Sequence, residues 1–302
     1  MSAARTPRHT LISTPALDPH AQTPILVGPR LTGSDMALLP RLATAALLLS
    51  ALAGCGGAGN SADGERLTIA ATAVPHAEIL EVVKPLLAQQ GIDLQVRIFN
   101  DYVQPNDQVV QGQIDVNYFQ TEPYLDAYNR DRGTDLTTLV GVHIEPFGAY
   151  SRRYTSLDAV PDGADVVIPN DPSNNSRALI LLHHSGVITL KDPDDALATL
   201  RDITANPKNL KFRELDAAML PRVLDQVDLA LINTNYALDA GLDPGKDALA
   251  IEGTDSPYVN FLVGRPDKRD DARVQKLIAA LTGDEVRSFI RTKYGEAVIP
   301  AF

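Results

Sequence analysis

Arg177 is the residue whose placement says most about chemistry. It stands in Pro169-Asn-Asp-Pro-Ser-Asn-Asn-Ser-Arg177-Ala-Leu-Ile-Leu-Leu, where a turn-forming run opens a predicted helix over about 173–184 and puts Arg177 in its first turn. There the helix macrodipole disfavours a cation, and the free backbone N–H groups favour an anion. A guanidinium so placed calls for a carboxylate: either a protein Asp or Glu, or a ligand carboxylate gripped through two parallel N–H···O bonds. The chain has nine Tyr and seven Phe, yet Phe99, Tyr102, Tyr118, Phe119 and Tyr124 fall within 26 positions. Buried aromatics usually pack in a core, and one or two facing a cleft would form an apolar box for a side chain. Asn233 follows the apolar run Leu229-Ala-Leu-Ile, and Asn260 lies in the extended stretch Ser256-Pro-Tyr-Val-Asn-Phe-Leu-Val. Each offers an amide donor and acceptor suited to the ends of an amino acid, although Asn at a strand end is equally a turn former.

Reaction chemistry finds little support. Gly-x-Gly-x-x-Gly, a Walker loop, Gly-x-Ser-x-Gly and His-Glu-x-x-His are all absent, so nucleotide, hydrolase and zincin readings lack a local signature. His183 and His184 are adjacent on a predicted helix and point apart, which suits a surface or helix-end role better than metal binding. Lys84, His76 and His143 stand isolated and receive no chemistry. One cysteine supports neither an intramolecular disulfide nor a multi-thiolate metal cluster. The expectation is a non-enzyme with no catalytic residue, no metal and no cofactor. With 27 Lys plus Arg against 38 Asp plus Glu, the formal charge of −11 argues against nucleic acid, whose phosphates need a basic face.

The lone Cys55 has a different context. Residues 42–53 form an uncharged run of 12, preceded by Arg41 and followed by Gly54-Cys55. That is the length of a signal-peptide apolar region and short of the ~20 residues that span a bilayer. Leu52-Ala53-Gly54-Cys55 resembles a bacterial lipobox, in which the thiol receives a diacylglycerol, the signal is cut before the cysteine and palmitate completes the anchor. Residues 36–54 therefore read as a lipoprotein signal peptide with translation starting at Met36, 1–35 as outside the fold, and 55–65 as a flexible linker rich in Gly, Ser and Ala. Removing 1–54 takes away four basic and two acidic residues and moves the charge from −11 to −13.

Behind the linker, apolar runs of strand length alternate with helical periodicity. Strands are expected near 67–71, 93–99 and 114–119 with helices at 75–90, 106–112 and 123–130. After the extended stretch 142–151, a second series follows: strand 165–169, helix 173–184, strand 187–190, a helical run over 194–204, strand 210–215, helix 217–223, strand 229–232 and helix 236–241. The extended stretch 256–263 and two helices around 270–282 and 284–294 complete the chain. Such alternation implies mostly parallel sheets covered by helices. The fold class expected is α/β with two lobes, 66–145 plus 256–302 and 146–255, joined by two crossover segments. The ligand site then belongs in the cleft between them, outside the carboxyl ends of the strands.

Several blocks, in order, carry a family resemblance: Phe99-Asn-Asp-Tyr-Val-Gln-Pro-Asn106, Gly112-Gln-Ile-Asp-Val-Asn-Tyr-Phe-Gln120 with Pro123-Tyr-Leu, the Pro169–Arg177 segment, Ile232-Asn-Thr-Asn-Tyr-Ala, and Ser256-Pro-Tyr-Val-Asn260. From about residue 67 to the end, the chain resembles the methionine-binding lipoproteins of bacterial methionine ABC importers. That resemblance implies a two-lobed periplasmic-binding-protein fold, type II-like, that closes on L- or D-methionine and delivers it to an ABC permease with its ATPase. It implies that Arg177 holds the ligand carboxylate, that Asn233 and Asn260 bind the amino-acid ends, and that Tyr102, Phe119 and Tyr124 line the thioether pocket. It also implies an extracytoplasmic protein held to the membrane by the lipid on Cys55. Family members commonly show Gln-His before Pro-Tyr-Leu, where this chain has Gln120-Thr121-Glu122. That departure leaves room for another amino acid or a short methionyl peptide, and a surface lipoprotein with a structural or adhesive role is the alternative of a different class.

Overall fold

The computed structural model describes residues 65–253 and 256–302. Cys55, the signal segment 36–54 and residues 1–35 lie outside the described residues. The described residues open with β1 (Glu65–Ala71), whose last five residues are buried, the mark of a strand covered on both faces. Helix α1 (Glu78–Ala88) follows and turns Ile79, Leu80, Val83 and Leu87 inward. Gly91, at φ +74, reverses the chain into β2 (Ile92–Ile98). Next come α2 (Gln104–Val110), β3 (Val116–Thr121), α3 (Glu122–Arg132) and β4 (Thr137–Ile144).

The chain then leaves this sheet for a second one, through β5 (Gly148–Tyr150), β6 (Asp165–Pro169), α4 (Pro172–His184), β7 (Thr189–Leu190), β8 (Ile203–Ala205), β9 (Lys211–Leu215), α5 (Leu220–Val223), β10 (Leu229–Ile232), α6 (Thr234–Asp239), α7 (Pro244–Asp247) and β11 (Ala248–Ile251). It returns as β12 (Val259–Gly264), α8 (Ala272–Leu281), α9 (Asp284–Tyr294) and β13 (Ile299–Pro300). Two main sheets result, ordered β13-β4-β12-β3-β1-β2 and β11-β5-β10-β6-β9, and β7 pairs with β8 in a separate two-stranded ribbon. β1 runs parallel to β2 and β3, and β6 runs parallel to β9 and β10, while β12 and β5 are antiparallel to their neighbours. Each sheet is thus a parallel core closed by antiparallel strands, and the chain passes between the two at 145–147 and 252–258.

Helices cover both faces of each sheet. In the first lobe Leu67, Ile69 and Leu94 pack with Leu80 of α1, Leu277 of α8 and Ile290 of α9, while Val109 and Leu125 pack with Ala70 and Val263. In the second, Val166 and Leu231 meet Leu179 and Leu182 of α4, and Val167 and Ile232 meet Leu220 and Ala237. The sixteen buried Leu, Ile and Val side chains among these, at about 1.5–3 kcal/mol each, explain why two lobes of this size hold together.

Three sequence-based expectations are corrected. The run 194–204 is not a helix: it contains turns, one short helical turn at Leu200–Asp202, and β8. Its acidic side chains capture backbone N–H groups that a helix would use, with Asp192 accepting from Asp194 (3.0 Å), Asp195 from Leu197 (2.9 Å) and Asp202 from Thr199 (2.8 Å). The extended segment begins at Thr137 rather than at 142. α4 starts at Pro172 behind an Asp171 N-cap, so Arg177 sits in its second turn, not its first.

Candidate functional site

A small cavity lies where the carboxyl ends of β3, β4, β6 and β10 converge. Such positions are where open α/β sheets receive ligands. All six residues singled out from the sequence border it: Tyr102, Phe119 and Tyr124 from the first lobe, Arg177 and Asn233 from the second, and Asn260 at the start of β12.

Arg177 is buried, and its environment resolves the choice between protein and ligand partners on one edge of the guanidinium. Nε donates to Glu252 Oε1 (2.7 Å) and Nη2 to Glu252 Oε2 (2.6 Å), a bidentate pair, and Nη2 also donates to the Glu145 carbonyl (2.8 Å). Burial alone would lower the guanidinium pKa, yet the Glu252 carboxylate holds it above its ordinary value. The plane lies 4.2 Å from the Tyr258 ring centroid and 5.3 Å from that of Phe147. Glu252 also accepts from the Phe147 N–H (3.0 Å) and the Ser256 hydroxyl (3.1 Å), so both crossovers are fastened to Arg177 through one carboxylate. Among the described residues Nη1 makes no hydrogen bond, and it is the part of the cation available to a second anion.

The two asparagines have their amide orientations set by neighbours. Asp171, the N-cap of α4, accepts both contacts from Asn174 Nδ2 (3.0 Å each), which leaves Asn174 Oδ1 to accept from Asn233 Nδ2 (2.7 Å). Asn233 Oδ1 is then a buried acceptor with no partner among the described residues. A buried orphan of this kind is unfavourable by about 1–3 kcal/mol until something donates to it. On the other side, Asn260 Oδ1 contacts His76 Nε2 (3.0 Å), which leaves its Nδ2 as the free donor.

His76 and His143 are not isolated, contrary to the sequence reading. His143 Nε2 lies 2.7 Å and His76 Nε2 3.4 Å from Glu145 Oε1, all three residues being buried and Glu145 lining the cavity. Burial lowers the pKa of His76 to about 4 and that of His143 to about 3, so both rings are neutral at physiological pH. Burial pushes the Glu145 carboxyl up, against which His76, Arg177 and the Asn235 N–H favour the anion. A single tautomer choice satisfies each hydrogen bond: Nε2–H of His143 donates to Glu145 and Nε2–H of His76 to Asn260, while Nδ1 of His76 accepts from the Thr72 hydroxyl (2.7 Å) and Nδ1 of His143 from the Tyr118 hydroxyl. These three groups are close enough to suggest metal ligands. The 2.7 Å His143–Glu145 contact is a hydrogen bond, however, and an ion between them would need two bonds of about 2.0–2.2 Å.

The aromatic wall is chemically blunt. Tyr102, Phe119 and Tyr124 have ring centroids 5.6, 5.7 and 5.9 Å apart. Both hydroxyls are consumed, Tyr102 donating to Asn235 Oδ1 (2.6 Å) and Tyr124 to the Tyr102 carbonyl (2.9 Å). Gln120 also borders the cavity, but Asn106 and Asn117 occupy both ends of its amide. Thr121 lines the cavity as well. Of the other residues considered from sequence, Tyr118 is a fully buried core residue, and His183 accepts from the Leu190 N–H in the last turn of α4. Sequence reasoning missed Glu145, Asn174 and Glu252. Glu145 had one signal, its place two residues after His143 and so on the same side of an extended segment.

Two α/β lobes, crossed twice by the chain and closed over a polar, partly aromatic cavity, define a solute-binding protein of the periplasmic type. Residues 67–302 match the NlpA lipoprotein family, and the chain belongs to it. It is 43% identical to the D-methionine-binding lipoprotein MetQ of Salmonella typhi over 239 residues, 78% of this chain and 88% of that protein. A nutrient-binding protein from Burkholderia cenocepacia, solved bound to methionine, superposes with a TM-score of 0.76 at 43% identity, covering 78% of this chain and all of that one. A periplasmic substrate-binding protein of an ABC transporter from Coxiella burnetii superposes at 0.74 with 41% identity, over 78% of this chain and all of that one.

Proposed function

We propose that this protein is the methionine receptor of an ABC importer, lipid-anchored at Cys55 on the outer side of the cell membrane, that delivers its ligand to a permease driven by an ATPase. The observation that carries the reading is the pairing, in one closed cavity, of a buried guanidinium with an unused Nη1 and an aromatic box with no unused hydroxyl. An α-carboxylate suits the first and a thioether the second. In this reading Nη1 of Arg177 and Nδ2 of Asn260 take the ligand carboxylate, Oδ1 of Asn233 takes a donor from the ammonium end, and Tyr102, Phe119 and Tyr124 enclose the side chain. No bond is made or broken. Residues 66–145 with 256–302 act as one lobe and 146–255 as the other, closing by hinge motion about the two crossovers.

Thr121 favours one alternative: a side chain or a short methionyl peptide with a polar group near its hydroxyl. Calorimetric titration of the protein, freed of carried-over ligand by unfolding and refolding, with L- and D-methionine, the other amino acids and methionyl dipeptides decides between them. Methionine as the tightest ligand is the expected result. Preference for a dipeptide or another amino acid would reassign the ligand, and binding to none would overturn the receptor reading.

A further inference from the structure

We infer that Glu145 is a specificity-determining residue that accepts the ligand's α-ammonium, and that His143 is the positioning residue that holds its carboxylate there. The inference rests on the amino-acid reading above. Among the described residues bordering the cavity, Arg177 is the one cation and Glu145 the one carboxylate. A zwitterion carries one charge of each sign, and burying its ammonium without a counter-charge would be expensive. Glu145 itself is a buried carboxylate at the first crossover, and such a group persists as an anion only where donors surround it. His143 supplies one from Nε2 (2.7 Å) and the Asn235 N–H another, while His76 Nε2, bonded to Asn260, lies 3.4 Å away; both rings are neutral, so neither competes as a cation for the carboxylate. Each imidazole is fixed in turn by a hydroxyl on Nδ1, Thr72 for His76 and Tyr118 for His143. The His76 ring also fixes the Asn260 amide, so one network orients both the acceptor for the ammonium and a donor for the carboxylate. A purely structural role for this network would not require its carboxylate to border the cavity.

The site should therefore demand a free α-ammonium. The test compares methionine with its α-hydroxy analogue, 2-hydroxy-4-(methylthio)butanoate, by calorimetry on the wild type and on Glu145→Gln. The wild type should bind the hydroxy acid about tenfold or more weakly than methionine, the scale of one charge-assisted bond. Glu145→Gln should weaken methionine by about tenfold or more and the hydroxy acid by less than about threefold. His143→Phe, which removes a donor to Glu145, should shrink the preference for methionine, and His143→Gln, which keeps one, should restore it. Equal weakening of both ligands in Glu145→Gln, or unchanged methionine binding, would overturn the inference while leaving the methionine reading intact. Should Glu145→Gln fail to fold, equal wild-type affinities for the two ligands would overturn it without any variant. A wild type that binds no amino acid would overturn the parent reading and this inference together.

Discussion

The cavity wall contributed by Tyr102, Phe119 and Tyr124 offers a ligand ring faces only, since both hydroxyls are bonded within the protein, whereas the opposing wall retains unspent polar atoms on Arg177 and Asn233. Asn260 and Glu145 stand at the lobe junctions between them. The two walls therefore read different parts of a ligand. An apolar wall discriminates by shape and volume, at about 0.8 kcal/mol per buried methylene, while a buried polar wall rejects any ligand that leaves its donors and acceptors unmatched. Neither wall surrounds a ligand alone, so selectivity depends on closure. The Tyr102–Asn235 bond and the Tyr236–Asn100 carbonyl contact (3.2 Å) are made directly between the lobes.

The most disruptive way to break the polar wall is Arg177→Ala. It strands Glu252 among Phe147, Tyr258 and the crossovers, so a stability loss of about 3–5 kcal/mol by denaturant titration is expected together with loss of methionine binding. Arg177→Lys keeps the charge but not the bidentate edge, and should unfold less readily while binding methionine more weakly than wild type.

Acid should act next. His76 and His143 have pKa values lowered from 6.5 to about 4 and about 3, so the unfolded chain binds more protons than the folded one as pH falls below 6.5. Stability should be intact above that pH and drop through the window down to about 4, with a loss of about 3 kcal/mol from His76 alone, at about 1.4 kcal/mol per pH unit. Burial raises the pKa of the Glu145 carboxyl, which acts in the opposite direction and offsets part of the loss. Equilibrium unfolding at pH 7 and pH 4.5 checks this, and a His76→Gln variant should show a shallower dependence.

On the apolar wall, Phe119→Ala should weaken methionine by about 2–3 kcal/mol, the value of a buried large side-chain contact, and should weaken binding of norleucine by a similar amount. Tyr102→Phe sharpens the comparison at the smallest scale. It keeps the ring and removes the interlobe bond to Asn235, so affinity should fall by about 0.5–1.5 kcal/mol with no change in ligand preference.

Much of this arrangement is legible in the sequence where one residue type carries its own reason. β1, β6 and β10 are short apolar runs, and α4 announces itself with Asp171-Pro172 followed by an apolar stretch. Arg177 stands out because a guanidinium near a helix start needs an anion. The misread stretch 194–204 has helical spacing in Ala196, Leu197 and Leu200, but its Asp and Thr side chains satisfy the backbone locally. The hydrogen-bonded group of His76, Glu145, His143 and Asn260 is illegible for another reason. His76 and Asn260 meet across 184 positions, and only the pairing of β12 with β4, which sets Asn260 opposite His143, brings them together. Sheet register of that kind leaves no mark in local composition.

A crystal structure of the protein with methionine would test the division of labour between the walls most directly. The account predicts the ligand carboxylate on Arg177 Nη1 and Asn260 Nδ2, the ammonium on Glu145 and Asn233 Oδ1, and the thioether between Tyr102, Phe119 and Tyr124. A methionine bound in the reverse sense, or one whose carboxylate does not touch Arg177, would contradict it.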